Sequence, residues 1–93
     1  EIISVHEVIR VTSASSGIVY YLNNGSQFFS NISVKECLTI LNPELFIRCH
    51  LSHIVNKEFI ARVSMQRNGR LYLTNGDEIP VSARRKNEVL KHF

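Results

Sequence analysis

Long apolar runs are missing from this chain. No stretch approaches the ~18 residues that a membrane-spanning helix needs, so no membrane partner is expected. Cysteine is scarce: Cys37 and Cys49 are the only two, at a spacing that fits neither a zinc knuckle nor a redox pair. Such usage suits a reducing, cytoplasmic setting and excludes a disulfide framework. There is no Gly-rich phosphate loop, no Pro- or Ser-rich linker, no low-complexity tract and no internal repeat. The chain opens on Glu1-Ile2-Ile3, without an initiator Met or the basic start of a leader peptide. It is therefore read as an excised segment with a neighbouring domain upstream.

What is present fits one small domain. The 93 residues are 44% hydrophobic, enough for a core and too many for a disordered chain. Charge is unevenly placed. Residues 1–45 carry two basic and four acidic side chains, and residues 46–93 carry nine basic and four acidic. A basic half suits a polyanion, although a solvated basic surface has the same composition.

Local patterning predicts short strands broken by turns. Val8 to Thr12 is apolar and β-branched, Ser13 to Gly17 has loop composition, and Ile18 to Leu22 is a second strand. Asn24-Gly25 is a hairpin signal, after which Gln27 to Ser30 returns. The period then changes. Ser33 and Glu36 form a capping box, and Val34, Cys37, Leu38 and Leu41 share one helical face until Asn42-Pro43 closes it. Phe46 to His50 and Glu58 to Met65 read as strands, the latter with Phe59, Ala61, Val63 and Met65 on one side. Asn68-Gly69 is a second turn, Arg70 to Thr74 a return strand, Asn75-Gly76 a third turn and Ile79 to Val81 the last strand. Pro80 places that strand at an edge or bulge. Ser82 is expected to cap a terminal helix through about Lys91. The expected class is mostly β with minor α: small antiparallel sheets, one central helix and a short C-terminal helix.

Catalytic constellations are few. Asp77-Glu78 are adjacent carboxylates, but they follow a turn and read as solvated. Ser52 and His53 lack any motif that would make them nucleophile and base. Cys49, His50 and His53 offer a thiolate and two imidazoles, with His6 or His92 as a fourth ligand for zinc. Strand alternation separates Cys49 from His50, which favours a packed Cys49 and a polar His50 at a strand end. No cofactor or metal is expected. Arg84-Arg85-Lys86 is the stronger feature. Three cations at a helix start oppose the local dipole, a cost that an approaching phosphate would offset. The bland reading is a solvated basic turn.

Phe46-Ile47-Arg48-Cys49-His50-Leu51-Ser52-His53-Ile54-Val55-Asn56 resembles the signature of the LytTR domains, roughly F-x-R-x-H-x-S-x-[LIV]-V-N. Ile60, Asn75-Gly76, Ile79-Pro80-Val81-Ser82 and Arg84-Arg85 resemble the closing segment of the same family. Val8 to Leu22 resembles its opening hairpin and Ser33 to Leu41 its helix. The resemblance implies a sequence-specific double-stranded DNA-binding module, not an enzyme. Such a module is commonly the output domain of a bacterial two-component response regulator, behind an N-terminal receiver domain, though other fusions occur in the family. It implies that loops enter successive grooves, commonly on paired direct repeats, with dimerisation on DNA. Carried over by position, the contacting residues are Ser15, Ser16 and Gly17; Leu51, Ser52 and Asn56; and Ser82, Arg84, Arg85 and Lys86. Arg84 is the expected base reader. Ser52, Ser82, Arg85 and Lys86 are expected on phosphates. Asn56 has a second, structural reading, fixing the turn after Val55. Leu51 departs from the polar or basic residue common there, and Ser16-Gly17 from larger polar groups, which implies a different or weaker base preference and not loss of binding. The competing classes are a protein-interaction module on the same β fold and a small metal site at Cys49, His50 and His53.

Overall fold

The computed structural model describes residues 4–67 and 69–93. A short 3-10 turn, Val5–Glu7, leads into β1 (Val8–Ala14), followed by β2 (Gly17–Leu22), β3 (Gln27–Ser30) and α1 (Val34–Ile40). Then come β4 (Phe46–His50), β5 (His53–Asn56), a 3-10 turn at Lys57–Phe59, β6 (Ile60–Ser64), β7 (Arg70–Leu73) and β8 (Glu78–Pro80). A last 3-10 turn, Ala83–Arg85, runs directly into α2 (Lys86–Leu90). The strands form a five-stranded sheet, β3-β2-β1-β5-β4, and a three-stranded sheet, β6-β7-β8, with every pairing antiparallel.

Consecutive apolar pairs explain the layering. A strand buried on one face alternates apolar and polar residues; a strand buried on both carries neighbours that are both apolar. Val8-Ile9, Phe46-Ile47 and Ile54-Val55 are such pairs. Val8, Phe46 and Ile54 join Val11, Ile18, Leu22 and the α1 residues Val34 and Cys37 in one core. Ile9, Ile47 and Val55 join Cys49, Leu71, Leu73, Ile79, Val81 and the α2 residue Val89 in another. The large sheet is thus the middle layer, with α1 on one face and the small sheet plus α2 on the other. Cys37 is a packed core residue: burial raises its thiol above the ordinary range, against a hydrogen bond with Tyr20 Oη at 3.5 Å that lowers it.

The capping box forms as its spacing predicts, with Glu36 N to Ser33 Oγ at 3.0 Å and Ser33 N to Glu36 Oε1 at 3.1 Å. The Asn75-Gly76 turn also forms, with Gly76 at φ 97°, where a side chain would be strained. Asn68 lies outside the described residues. β8 is an edge strand, as Pro80 requires.

Three elements differ from the sequence expectation. β5 was not anticipated, because only Ile54 and Val55 carry its apolar signal. The long strand from Glu58 begins later, at Ile60. Asn56 Oδ1 accepts from Glu58 N at 2.9 Å and folds the first residues into a turn. A register shift between Ile60 and Arg62 then breaks the alternation, so Ala61 is exposed and Ile60 packs inward beside Val63. The terminal helix is shorter than expected, and Ser82 makes no side-chain cap for it. Asp77 is not simply solvated. Its carboxylate accepts from Arg10 Nε at 2.9 Å, joining the small sheet to β1.

Candidate nucleic-acid interface

Three segments named from the sequence meet at one end of the large sheet. The first is the β1–β2 turn, which closes on the Ala14 and Gly17 pair and leaves Ser15 and Ser16 exposed. Gly17 is fixed by space: a Cβ there would strike the Ser30 carbonyl of β3. Its side-chain-free backbone is thus required by packing whatever it meets outside.

The second segment is the β4–β5 turn at Leu51 and Ser52. Ser52 O accepts from Ser13 N at 2.9 Å, which locks this turn beside the first hairpin. Arg48 grips the turn from behind, with Nη2 to Leu51 O at 2.8 Å and Nε to His50 O at 3.3 Å. Burial, and the nearby positive charge of Arg85, lower the affinity of this guanidinium for its proton. His50 Nδ1 accepts from Ser52 N at 3.1 Å. The signature Arg and His therefore shape the turn, while Leu51, 70% exposed, projects from it. The site-residue reading passed over Arg48 and His50, although the signature spacing contains both.

The third segment leaves β8 and crosses to β4. Ser82 N donates to Cys49 O at 2.9 Å, and Arg85 N closes the turn onto Ser82 O at 3.0 Å. Leu51, Ser82, Arg84, Arg85 and Glu88 line a concavity of about 360 Å³. Arg84 is exposed and forms no ion pair among the described residues; Arg85 Nη1 lies 4.0 Å from Glu88 Oε2. Lys86 is half-buried at the start of α2. The Ser82 hydroxyl is buried and has no hydrogen-bond partner among the described residues. A buried hydroxyl without a partner costs about 1–3 kcal/mol, and Ser82 lines this concavity together with Arg84 and Arg85.

Asn56 is not on this surface. It is fully buried, its Nδ2 donating to Val8 O at 2.9 Å while Oδ1 holds Glu58 N. This geometry is that of the structural reading, in which Asn56 fixes the turn after Val55. Cys49 is likewise buried, and desolvation pushes its thiol up to about 12 despite the Arg85 charge. A register shift between Arg48 and His50 interrupts simple alternation there. Among the described residues no group of three His, Cys, Asp or Glu side chains could hold a metal ion.

The model of the LytTr DNA-binding domain matches residues 1–93. The chain belongs to this family. LytTr domains are DNA-binding domains of transcriptional regulators and not enzymes. Transcriptional regulatory protein BtsR of Escherichia coli K12 is 27% identical over 85 residues, covering 89% of this chain and 34% of BtsR. BtsR of Salmonella typhi matches with the same identity and coverage. The chain thus spans about a third of these curated relatives. The LytTr DNA-binding domain of a methyl-accepting/DNA response regulator from Bacillus cereus superposes with a TM-score of 0.90 at 23% identity, covering 97% of this chain and 84% of that one. That likeness confirms the LytTr fold: mostly β, with two antiparallel sheets and two helices.

Proposed function

We propose that this LytTr domain binds double-stranded DNA sequence-specifically, as the output domain of a bacterial two-component response regulator in the cytoplasm. The observation that carries the reading is the concavity lined by Leu51, Ser82, Arg84 and Arg85, with the Leu51–Ser52 turn bonded to the β1–β2 hairpin through Ser13 N and Ser52 O at 2.9 Å. Ser82, Ser52, Arg85 and Lys86 hold phosphates, which fix the register without reading sequence. Arg84, exposed and without a carboxylate partner among the described residues, reads a guanine through O6 and N7. Leu51 offers only apolar contact, suited to a thymine methyl. In this reading a receiver domain precedes the chain, which spans about a third of the curated relatives, and paired direct repeats would seat two copies side by side.

Fluorescence-anisotropy titration against a randomised duplex pool, followed by selected sites in a salt series, tests this. Enrichment of a short repeated element is the expected result. Salt-sensitive binding without enrichment would leave only a basic surface, and absence of binding at low salt would overturn the reading.

A further inference from the structure

The small sheet carries a second basic feature. β6 and β7 are joined by a turn containing Arg67, and Ser64, Gln66, Arg67, Arg70 and Tyr72 line a concavity of about 370 Å³ there. Its side chains are guanidiniums, an amide and hydroxyls; no carboxylate lines it. Arg67 and Arg70 are both exposed, and neither forms an ion pair among the described residues. Arg67 sits at φ 57°, a left-handed conformation that glycine or asparagine adopts at lower cost. The Arg62 guanidinium lies 4.1 Å over the Tyr72 ring, so the same outward face holds a third cation. The one acid paired into that face, Glu78, stands opposite Tyr72, a row farther from the turn than Arg70.

The place of this turn gives it meaning. Val81 N donates to Gly69 O at 3.1 Å, and Arg70 pairs with Pro80. The β6–β7 turn therefore abuts Val81, the residue before Ser82, three positions ahead of Arg84 in the chain. We infer that Arg67 and Arg70 form a sequence-independent phosphate clamp that extends the DNA footprint beyond the Ser82–Lys86 segment onto flanking backbone. Donors without acceptors suit phosphate oxygens, and no groove-reading geometry is needed for that role. The inference rests on the DNA-binding reading above.

The test compares wild type, Arg67→Ala/Arg70→Ala and Arg67→Lys/Arg70→Lys by anisotropy on a selected site and on a random duplex of equal length, across salt. The alanine pair should bind both duplexes more weakly, by about fivefold per arginine near 0.15 M salt, and its log–log salt slope should shrink by about 1.8. The lysine pair should keep most of the slope, because charge alone suffices. Both arginines are exposed, and thermal melts that match wild type would show that the fold is retained. An alanine pair with unchanged slope and affinity, against a wild type that binds, overturns the clamp alone. A loss confined to the selected site also overturns it, by making these residues base readers. Wild type that binds no duplex overturns the clamp and the DNA reading together. If the alanine pair instead loses affinity only for an acidic polypeptide such as polyglutamate, the surface serves a protein partner and the clamp is wrong.

Discussion

Asn56 and Arg84, two polar residues from matched segments, differ in burial and in partners. The Asn56 amide is fully buried and spends both ends on backbone groups, Val8 O across the sheet and Glu58 N in the next turn. Removing it strands a carbonyl and an N–H in the interior. Asn56→Ala should lower unfolding free energy by about 1–3 kcal/mol in urea denaturation. The variant that remains folded should bind DNA as wild type does; a selective loss of binding would return Asn56 to the interface. Arg84 is the opposite case, exposed and without an ion pair among the described residues. Arg84→Ala should leave stability within about 0.5 kcal/mol and reduce discrimination between selected and random duplexes by about 1–3 kcal/mol. Equal weakening on both would assign Arg84 to a phosphate. The sequence made these residues visible as members of a pattern. It did not separate them, because a signature Asn looks the same whether its amide caps a turn or faces a groove. Ser82 misled for a related reason. A serine before a helix normally caps it, yet here the first turn is 3-10 and the hydroxyl is buried with no partner among the described residues.

Among elements, the legible ones carry strong local chemistry. α1 is announced by Ser33 and Glu36, and β3 and β4 by compact runs between turn residues. β5 was not legible, since four residues with two apolar members become a strand only when β1 and β4 flank them. The joint between the sheets was equally hidden, because Arg10 and Asp77 are far apart in the chain. Asp77 feels burial, which raises its carboxyl, but the hydrogen bonds from Arg10 and Asn75 and the Arg10 charge outweigh it and hold the group below the usual range. The same arginine donates to Thr12 Oγ1 at 2.6 Å, and Thr12 Oγ1 in turn shares a hydrogen bond with His53 Nδ1 at 3.2 Å. Burial, then the neighbouring His50 and Arg10, depress the affinity of His53 for a proton. A depressed folded value means the unfolded chain takes up protons first. Stability from His53 is therefore complete above the unfolded value of about 6.5 and is lost as pH falls below it. The urea midpoint should drop between about pH 7 and pH 5, and His53→Gln should flatten that drop. An identical pH profile in the variant would remove His53 as its source. Asp77 adds a separate loss below about pH 4, by the same sign.

For the molecule as a whole, the charge division in the sequence becomes a division of labour. The acidic first half builds most of the large sheet and α1. The basic second half supplies β4, β5, the small sheet and α2, and with them the Arg84–Lys86 segment. The net charge is only +3, so binding cannot rest on a uniform field; it depends on where the cations gather. That makes the salt response a map of the interface. Lys86 starts α2 next to Arg85, half-buried, where its stem is held and its ammonium reaches outward more easily than inward. An ammonium is a point charge and reads no base pattern. Lys86→Ala should weaken selected and random duplexes alike and reduce the salt slope by about 0.9, one phosphate's worth. Arg84→Ala differs in kind, because its loss falls mainly on the selected site. Measured side by side, the two variants separate anchoring from reading within three residues of one turn. An unchanged slope in the lysine variant would place its ammonium off the duplex and leave phosphate binding here to Ser82 and Arg85.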